Sequence, residues 1–112
     1  MQTGYDLLLP EGLLDYFSVV GVEELDDTII LHLDETVLSD TENLDNKYLS
    51  KGFYPPTDIN DFPIRNKRLL LRIRRRRWQD KTTGSPFMRD LSLVASGTHL
   101  TAEFAAFFKA LS

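Results

Sequence analysis

Lys67-Arg68-Leu69-Leu70-Leu71-Arg72-Ile73-Arg74-Arg75-Arg76-Arg77-Trp78 is the stretch on which the reading of this chain turns. Apolar residues alternate with arginine through it, the period-two pattern of a strand with one face in a core. Taken as a strand from Arg68 to Gln79, it puts Leu69, Leu71 and Ile73 on one side and Leu70, Arg72, Arg74, Arg76 and Trp78 on the other. Arg75 and Arg77 carry on the parity of the apolar side. They must leave the core by the strand end or its twist, or meet a carboxylate.

The same stretch divides the charge of the molecule. Residues 1–61 hold 2 Lys and Arg against 14 Asp and Glu, whereas residues 62–112 hold 11 against 3, within a net charge of −4. An acidic pI of about 5.1 therefore conceals a basic half. A polyanion is repelled by one half and attracted by the other, so nucleic acid is the first partner to consider.

Working outward, Phe62 and Ile64 lead into the basic strand, and Asp80-Lys81-Thr82-Thr83-Gly84 has turn chemistry, with Gly84 suited to positive φ. A strand from Pro86 to Val94 is expected to return antiparallel. Thr101 can cap a helix in which Phe104, Phe107, Phe108 and Leu111 keep the 3.6-residue period. Upstream, Leu13, Leu14 and Phe17 share one face of a short helix. Phe17 to Leu25 and Thr28 to Leu33, separated by Asp26-Asp27, read as a hairpin with Ile29, Leu31 and Leu33 on one side. Asp34 to Asn60 is polar, acidic and broken by Gly52, Pro55 and Pro56; it reads as a long connection with irregular helix near Asn43 to Leu49.

The expected architecture is α+β in one domain of 112 residues: a short helix and first hairpin over 7–33, an acidic loop over 34–61, a basic hairpin over 62–95 and an amphipathic helix over 98–112. The chain has no cysteine, so disulfides and thiolate-held metals are excluded. His32 and His99 are isolated from each other, and no cofactor is expected. No glycine-rich phosphate loop, Ser/His/Asp set or helix with paired ligands at i and i+4 is present, so a non-catalytic role is expected. No apolar run approaches the roughly 20 residues that span a bilayer, and the N-terminus lacks a basic leader, which reads as a soluble cytoplasmic protein without membrane contact.

Arginines at alternate strand positions project guanidinium groups about 6.8 Å apart, close to phosphate spacing along a nucleic-acid strand. Guanidinium keeps its charge and grips phosphate with two donors. Arg72, Arg74 and Arg76 are the first candidates, joined by Arg65, Lys67, Arg75, Arg77 and Lys81, with Trp78 placed to stack on a sugar or base. The competing reading is a solvated strand kept charged against aggregation, with the acidic residues between 23 and 45 as intramolecular partners and Trp78 as a packing residue.

Asp61-Phe62-Pro63-Ile64-Arg65-Asn66-Lys67 and the basic strand, followed by a turn, a strand and the segment Gly97 to Leu111, resemble the N-terminal region of a group of bacterial insertion-sequence transposases. In that group an acidic or polar residue and Leu-Pro or Phe-Pro precede a basic strand ending in Arg-Arg-aromatic, and a helix follows. The resemblance implies an accessory module, encoded apart from the catalytic frame, that binds transposon-end double-stranded DNA beside a separately encoded DDE catalytic subunit. A protein-docking alternative remains, in which the arginine strand meets an acidic face of that subunit. Related full-length transposases look like zinc ribbons in this region, with one Cys pair in the long loop and another after the basic strand. Here Ser39 to Tyr54 and Gln79 to Gly84 stand in those places, so the implied fold is a degenerate, metal-free version. Phe53, Tyr54, Phe62 and Trp78 are the residues expected to replace the metal by packing.

Overall fold

A computed structural model describes residue 9 and residues 13–60 and 66–91. The expected C-terminal helix at 98–112, the end of the returning strand at 92–94, Phe62 and Arg65 lie outside the described residues.

Within them the chain is mostly β, in two sheets. A 3-10 turn at Leu13–Asp15 precedes β1 (Phe17–Glu24) and β2 (Thr28–Glu35). Another at Leu44–Asn46 precedes β3 (Tyr48–Phe53), and then come β4 (Thr57–Asn60), β5 (Arg68–Arg74), β6 (Arg76–Asp80) and β7 (Pro86–Phe87). The larger sheet has the order β1-β2-β5-β4 and the smaller β3-β6-β7.

The first hairpin forms where the alternation placed it. Leu25 N–H donates to the Thr28 carbonyl at 2.7 Å across the Asp26-Asp27 turn. Phe17 and Val19 face inward but Val22 has the wrong parity, and a bulge between Val19 and Gly21 restores it: Val20 turns outward and Val22 lies opposite Leu31. Core residues come from one face of three strands, with Phe17 and Val19 from β1, Ile29, Leu31 and Leu33 from β2, and Leu69, Leu71 and Ile73 from β5; Leu13 and Leu91 close over them. Each such side chain contributes about 1.5–3 kcal/mol through burial.

The basic stretch corrects two expectations. It is not one strand, because Arg75 interrupts it, and its first half does not pair with the strand that follows it. β5 lies between β2, in parallel, and β4, antiparallel. β6 then crosses into the small sheet between β3 and β7. The returning strand survives as β7 alone among the described residues, joined to β6 by the expected turn: Gly84 has φ 75° and donates to the Asp80 carbonyl at 2.8 Å. Asp80 Oδ1 accepts from the N–H groups of Thr82 and Thr83 at 2.8 and 3.1 Å.

The acidic loop is corrected as well, since it carries β3 and β4. Their side chains are exposed or half-buried, so neither strand has the apolar alternation that marks a buried face. Before them, Ser39 and Glu42 form a reciprocal cap: Glu42 N–H donates to Ser39 Oγ at 3.2 Å and Ser39 N–H to Glu42 Oε1 at 3.0 Å. The side chain of Asn43 pairs with both backbone groups of Tyr48 and starts β3.

A buried ionic cluster lies where the sheets meet. Glu35 at the end of β2, Arg75 between β5 and β6, and Arg89 beyond β7 are all at least nine-tenths buried. Glu35 Oε1 accepts from Arg75 Nε at 2.7 Å and from the Arg76 N–H at 3.0 Å, and Arg89 Nη1 stands 3.5 Å from Glu35 Oε2. Arg89 also donates to Glu42 and to the Val37 carbonyl, while Arg75 donates to the Arg89 carbonyl. Removing one member of a buried set like this leaves an uncompensated charge, at about 3–5 kcal/mol.

Candidate nucleic-acid interface

The sheet parity decides which cations reach solvent and which find carboxylates. On the outer face of the larger sheet, parallel register sets Asp34 opposite Arg74 and His32 opposite Arg72, and β4 brings Asp58 opposite Arg72 from the other side. Arg72 donates from Nε and Nη2 to the two Asp58 oxygens at 2.9 and 3.1 Å. Arg74 grips Asp34 in the same manner at 2.7 and 2.6 Å. His32 Nε2 is 2.7 Å from Glu23 Oε1. These contacts hold Asp58 below the usual carboxylate range, chiefly through the Arg72 hydrogen bonds, and push Arg72 and Arg74 upward. His32, Asp34, Arg72 and Arg74 line an open groove of about 380 Å³ whose arginine charge is balanced from within.

The expected row of open guanidinium groups is therefore not what β5 presents. Arg75 took the carboxylate option that its parity left open. Arg76 donates from Nε to the Glu35 carbonyl at 3.2 Å and, with Arg74, lies over the Phe53 ring, the guanidinium carbons 4.5 and 4.2 Å from its centroid. Trp78, expected to stack on a base, is only 6% exposed and packs as a core residue of the small sheet. Lys67 stands at the far end of β5, away from β6.

The small sheet is arranged differently. Trp78 lies opposite Phe87 and Ser50, and the Tyr48 and Phe87 rings stack with centroids 3.9 Å apart. Alternation then places Arg77 and Gln79 on the other, open face. A register shift between Ser50 and Phe53, with Gly52 at φ 90°, leaves Lys51 exposed beside that face. Tyr54 follows, its N–H donating to the Arg75 carbonyl at 2.9 Å, and the Arg77 guanidinium sits 5.5 Å from the centre of its ring. Lys51, Tyr54, Arg77, Gln79, Gly84 and Pro86, together with the small exposed part of Trp78, line an open groove of about 500 Å³. Lys81 is exposed in the turn that follows β6, and Lys47 reaches Asp80 at 3.7 Å. Among the described residues, Lys51, Arg77 and Lys81 make no ion pair with a carboxylate.

Comparison with protein-family models, with curated proteins and with solved structures returns no match.

Of the candidates from sequence, the structure thus leaves Arg77 in β6 and Lys81 in the turn after it exposed, and ties Arg72, Arg74 and Arg75 to carboxylates. Lys51, Tyr54 and Gln79 are the additions. Lys51 and Tyr54 were hidden in a segment without apolar alternation, where the one local signal was a lysine and two aromatics around a glycine at 51–54, and Gln79 closed the basic strand without a charge to mark it. No group of three or more His, Asp or Glu side chains is placed to hold a metal ion among the described residues. No helix there is long and apolar enough to cross a membrane.

Proposed function

We propose that this chain is a non-catalytic nucleic-acid-binding module that holds phosphate with the small sheet. The observation that carries the reading is the asymmetry of the cations: Lys51, Arg77 and Lys81 are exposed without carboxylate partners among the described residues, while Arg72, Arg74 and Arg75 are neutralised and Arg68 alone of the β5 arginines is exposed and unpaired there. A polyanion meeting the small sheet displaces only water and counterions, whereas on the outer face of the large sheet it must displace Asp34 and Asp58. The resemblance of the basic stretch to transposase N-terminal regions makes double-stranded DNA the first substrate to try, with a separately encoded DDE subunit as partner. Affinity in this reading comes from phosphate contacts, and sequence preference of the isolated module is modest.

The test is binding of a labelled duplex across a salt series. Each phosphate contact adds roughly −0.9 to the slope of log affinity against log salt. Replacing Lys51, Arg77 and Lys81 together by Gln is expected to flatten the slope by roughly 2 to 3 units. Absence of duplex binding at low salt would defeat the reading, and so would an unchanged slope in the triple variant.

A further inference from the structure

We infer that the groove on the open face of the small sheet takes one unpaired nucleotide, its base laid against the Tyr54 ring beside the Arg77 guanidinium and its phosphate beside Lys51. The inference deepens the nucleic-acid reading above and rests on it.

Four features of the groove support a base rather than phosphate alone. First, about 500 Å³ lies within the range of roughly 300–1,000 Å³ that suits a small organic ligand, whereas a single phosphate needs only a notch. Second, the groove is bordered by a ring and a guanidinium already in contact, and both have flat faces on which a base stacks irrespective of its identity. Third, Gln79 Nε2 donates to the Gly84 carbonyl at 3.0 Å, which fixes the amide and leaves Oε1 and the second N–H for the polar edge of a base. Fourth, Pro86 supplies an apolar wall without a competing donor.

The backbone holds these parts in place. Tyr54 is tied to Arg75 at the corner between the sheets, and Gly84 carries the positive φ that closes the neighbouring turn. A base inside a duplex has both faces covered by its neighbours, so the Tyr54 ring can be stacked on only by a base that has left the helix or belongs to a single strand. The ligand class is thus an unpaired nucleotide within a DNA or RNA strand.

The experiment compares a labelled twelve-residue oligo(dT), with few alternatives for internal pairing, against a twelve-base-pair duplex, using the whole chain. The single strand is expected to bind about ten-fold more tightly at equal salt. Tyr54→Ala is expected to lower single-strand affinity about ten-fold while duplex affinity stays within two-fold, in line with the loss of one aromatic stacking partner. Tyr54→Phe, which keeps the ring, should restore it, and Gln79→Ala serves as a second variant that leaves the Tyr54 corner intact and is expected to weaken the single strand alone. Equal binding of both nucleic acids, or an unchanged single-strand affinity in Tyr54→Ala and Gln79→Ala, would overturn the inference while leaving the module a phosphate binder. Failure of both nucleic acids to bind would overturn the underlying reading together with it.

Discussion

β5 and β6 are consecutive pieces of one arginine-rich stretch, yet they meet opposite fates. β5 runs through the middle of the large sheet, where neighbouring strands bring Asp34 and Asp58 to Arg74 and Arg72. β6 runs through the small sheet, where Arg77 faces Lys51 and Tyr54 rather than an acid. The lesson is that an arginine's place in a run says little about its availability. Availability is set by what the strands on either side carry at the same rung, and that is a property of topology.

The comparison breaks most visibly at the junction. Glu35→Ala leaves Arg75 and Arg89 facing each other in a buried site, and about 3–5 kcal/mol of stability should be lost in urea unfolding. Because Glu35 contacts residues on both sides of the crossing, near-ultraviolet and far-ultraviolet signals should move together to the lower midpoint. Separate transitions would show that the two sheets fold independently.

Next in size is the exchange of cations between the sheets. Replacing Lys51, Arg77 and Lys81 by Gln should reduce duplex affinity at least ten-fold at low salt, with stability changed by no more than about 0.5 kcal/mol, as expected of surface positions. Replacing Arg72 and Arg74 by Gln should change affinity less than three-fold, since both are already occupied. If the β5 pair mattered more than the small-sheet set, the contrast drawn between the sheets would be reversed.

Asp58→Asn sharpens the same contrast from the other side. Releasing Arg72 exposes a guanidinium on the large sheet, and duplex affinity should rise about two- to three-fold with a steeper salt slope of roughly one further contact. A fall in affinity would mean that Asp58 supports the binding surface.

The smallest effect concerns acid. Asp58 is held below the usual carboxylate range by Arg72, and Asp80 by the N–H groups of Thr83 and Thr82. Glu42 is also lowered: burial pushes it up, but the Ser39 N–H and Arg89 outweigh that. Groups lowered on folding stabilise the native state above their unfolded range, and this contribution disappears as pH falls through and below the usual carboxylate range. Urea midpoints should therefore be flat near neutrality and fall below about pH 4, and Asp58→Asn should fall less steeply.

Parts of this arrangement were legible in the sequence because they depend on near neighbours. Ile29, Leu31 and Leu33, and Leu69, Leu71 and Ile73, declare one buried face each, and the Asp80 to Gly84 turn declares itself by its residues. β3 and β4 were not legible, since strands with their side chains largely in water show no apolar period. The parallel pairing of β2 with β5 was not legible either, because nothing local specifies a partner strand so far along the chain. One hint was available: Leu31-His32-Leu33-Asp34 and Leu71-Arg72-Ile73-Arg74 match rung by rung, with apolar on apolar at two rungs and Asp34 on Arg74 at the last. That alignment by itself withdraws Arg74 from the candidate site, since it falls beside an acid. The α+β expectation stands only in part, with two 3-10 turns as the helical elements of the described residues.

Trp78 is the single tryptophan of the chain, and among the described residues its buried Nε1 has no hydrogen-bond partner. An indole in that setting emits at short wavelength, undisturbed by any second emitter of its kind. It stands in the small sheet and borders the groove that Tyr54 and Arg77 line, while the core of the large sheet holds no tryptophan. The molecule consequently carries a built-in optical label on one of its two halves. A red shift reports opening of that half alone, and set beside a far-ultraviolet signal that follows both sheets it resolves whether the small sheet yields first to heat, acid or a bound strand.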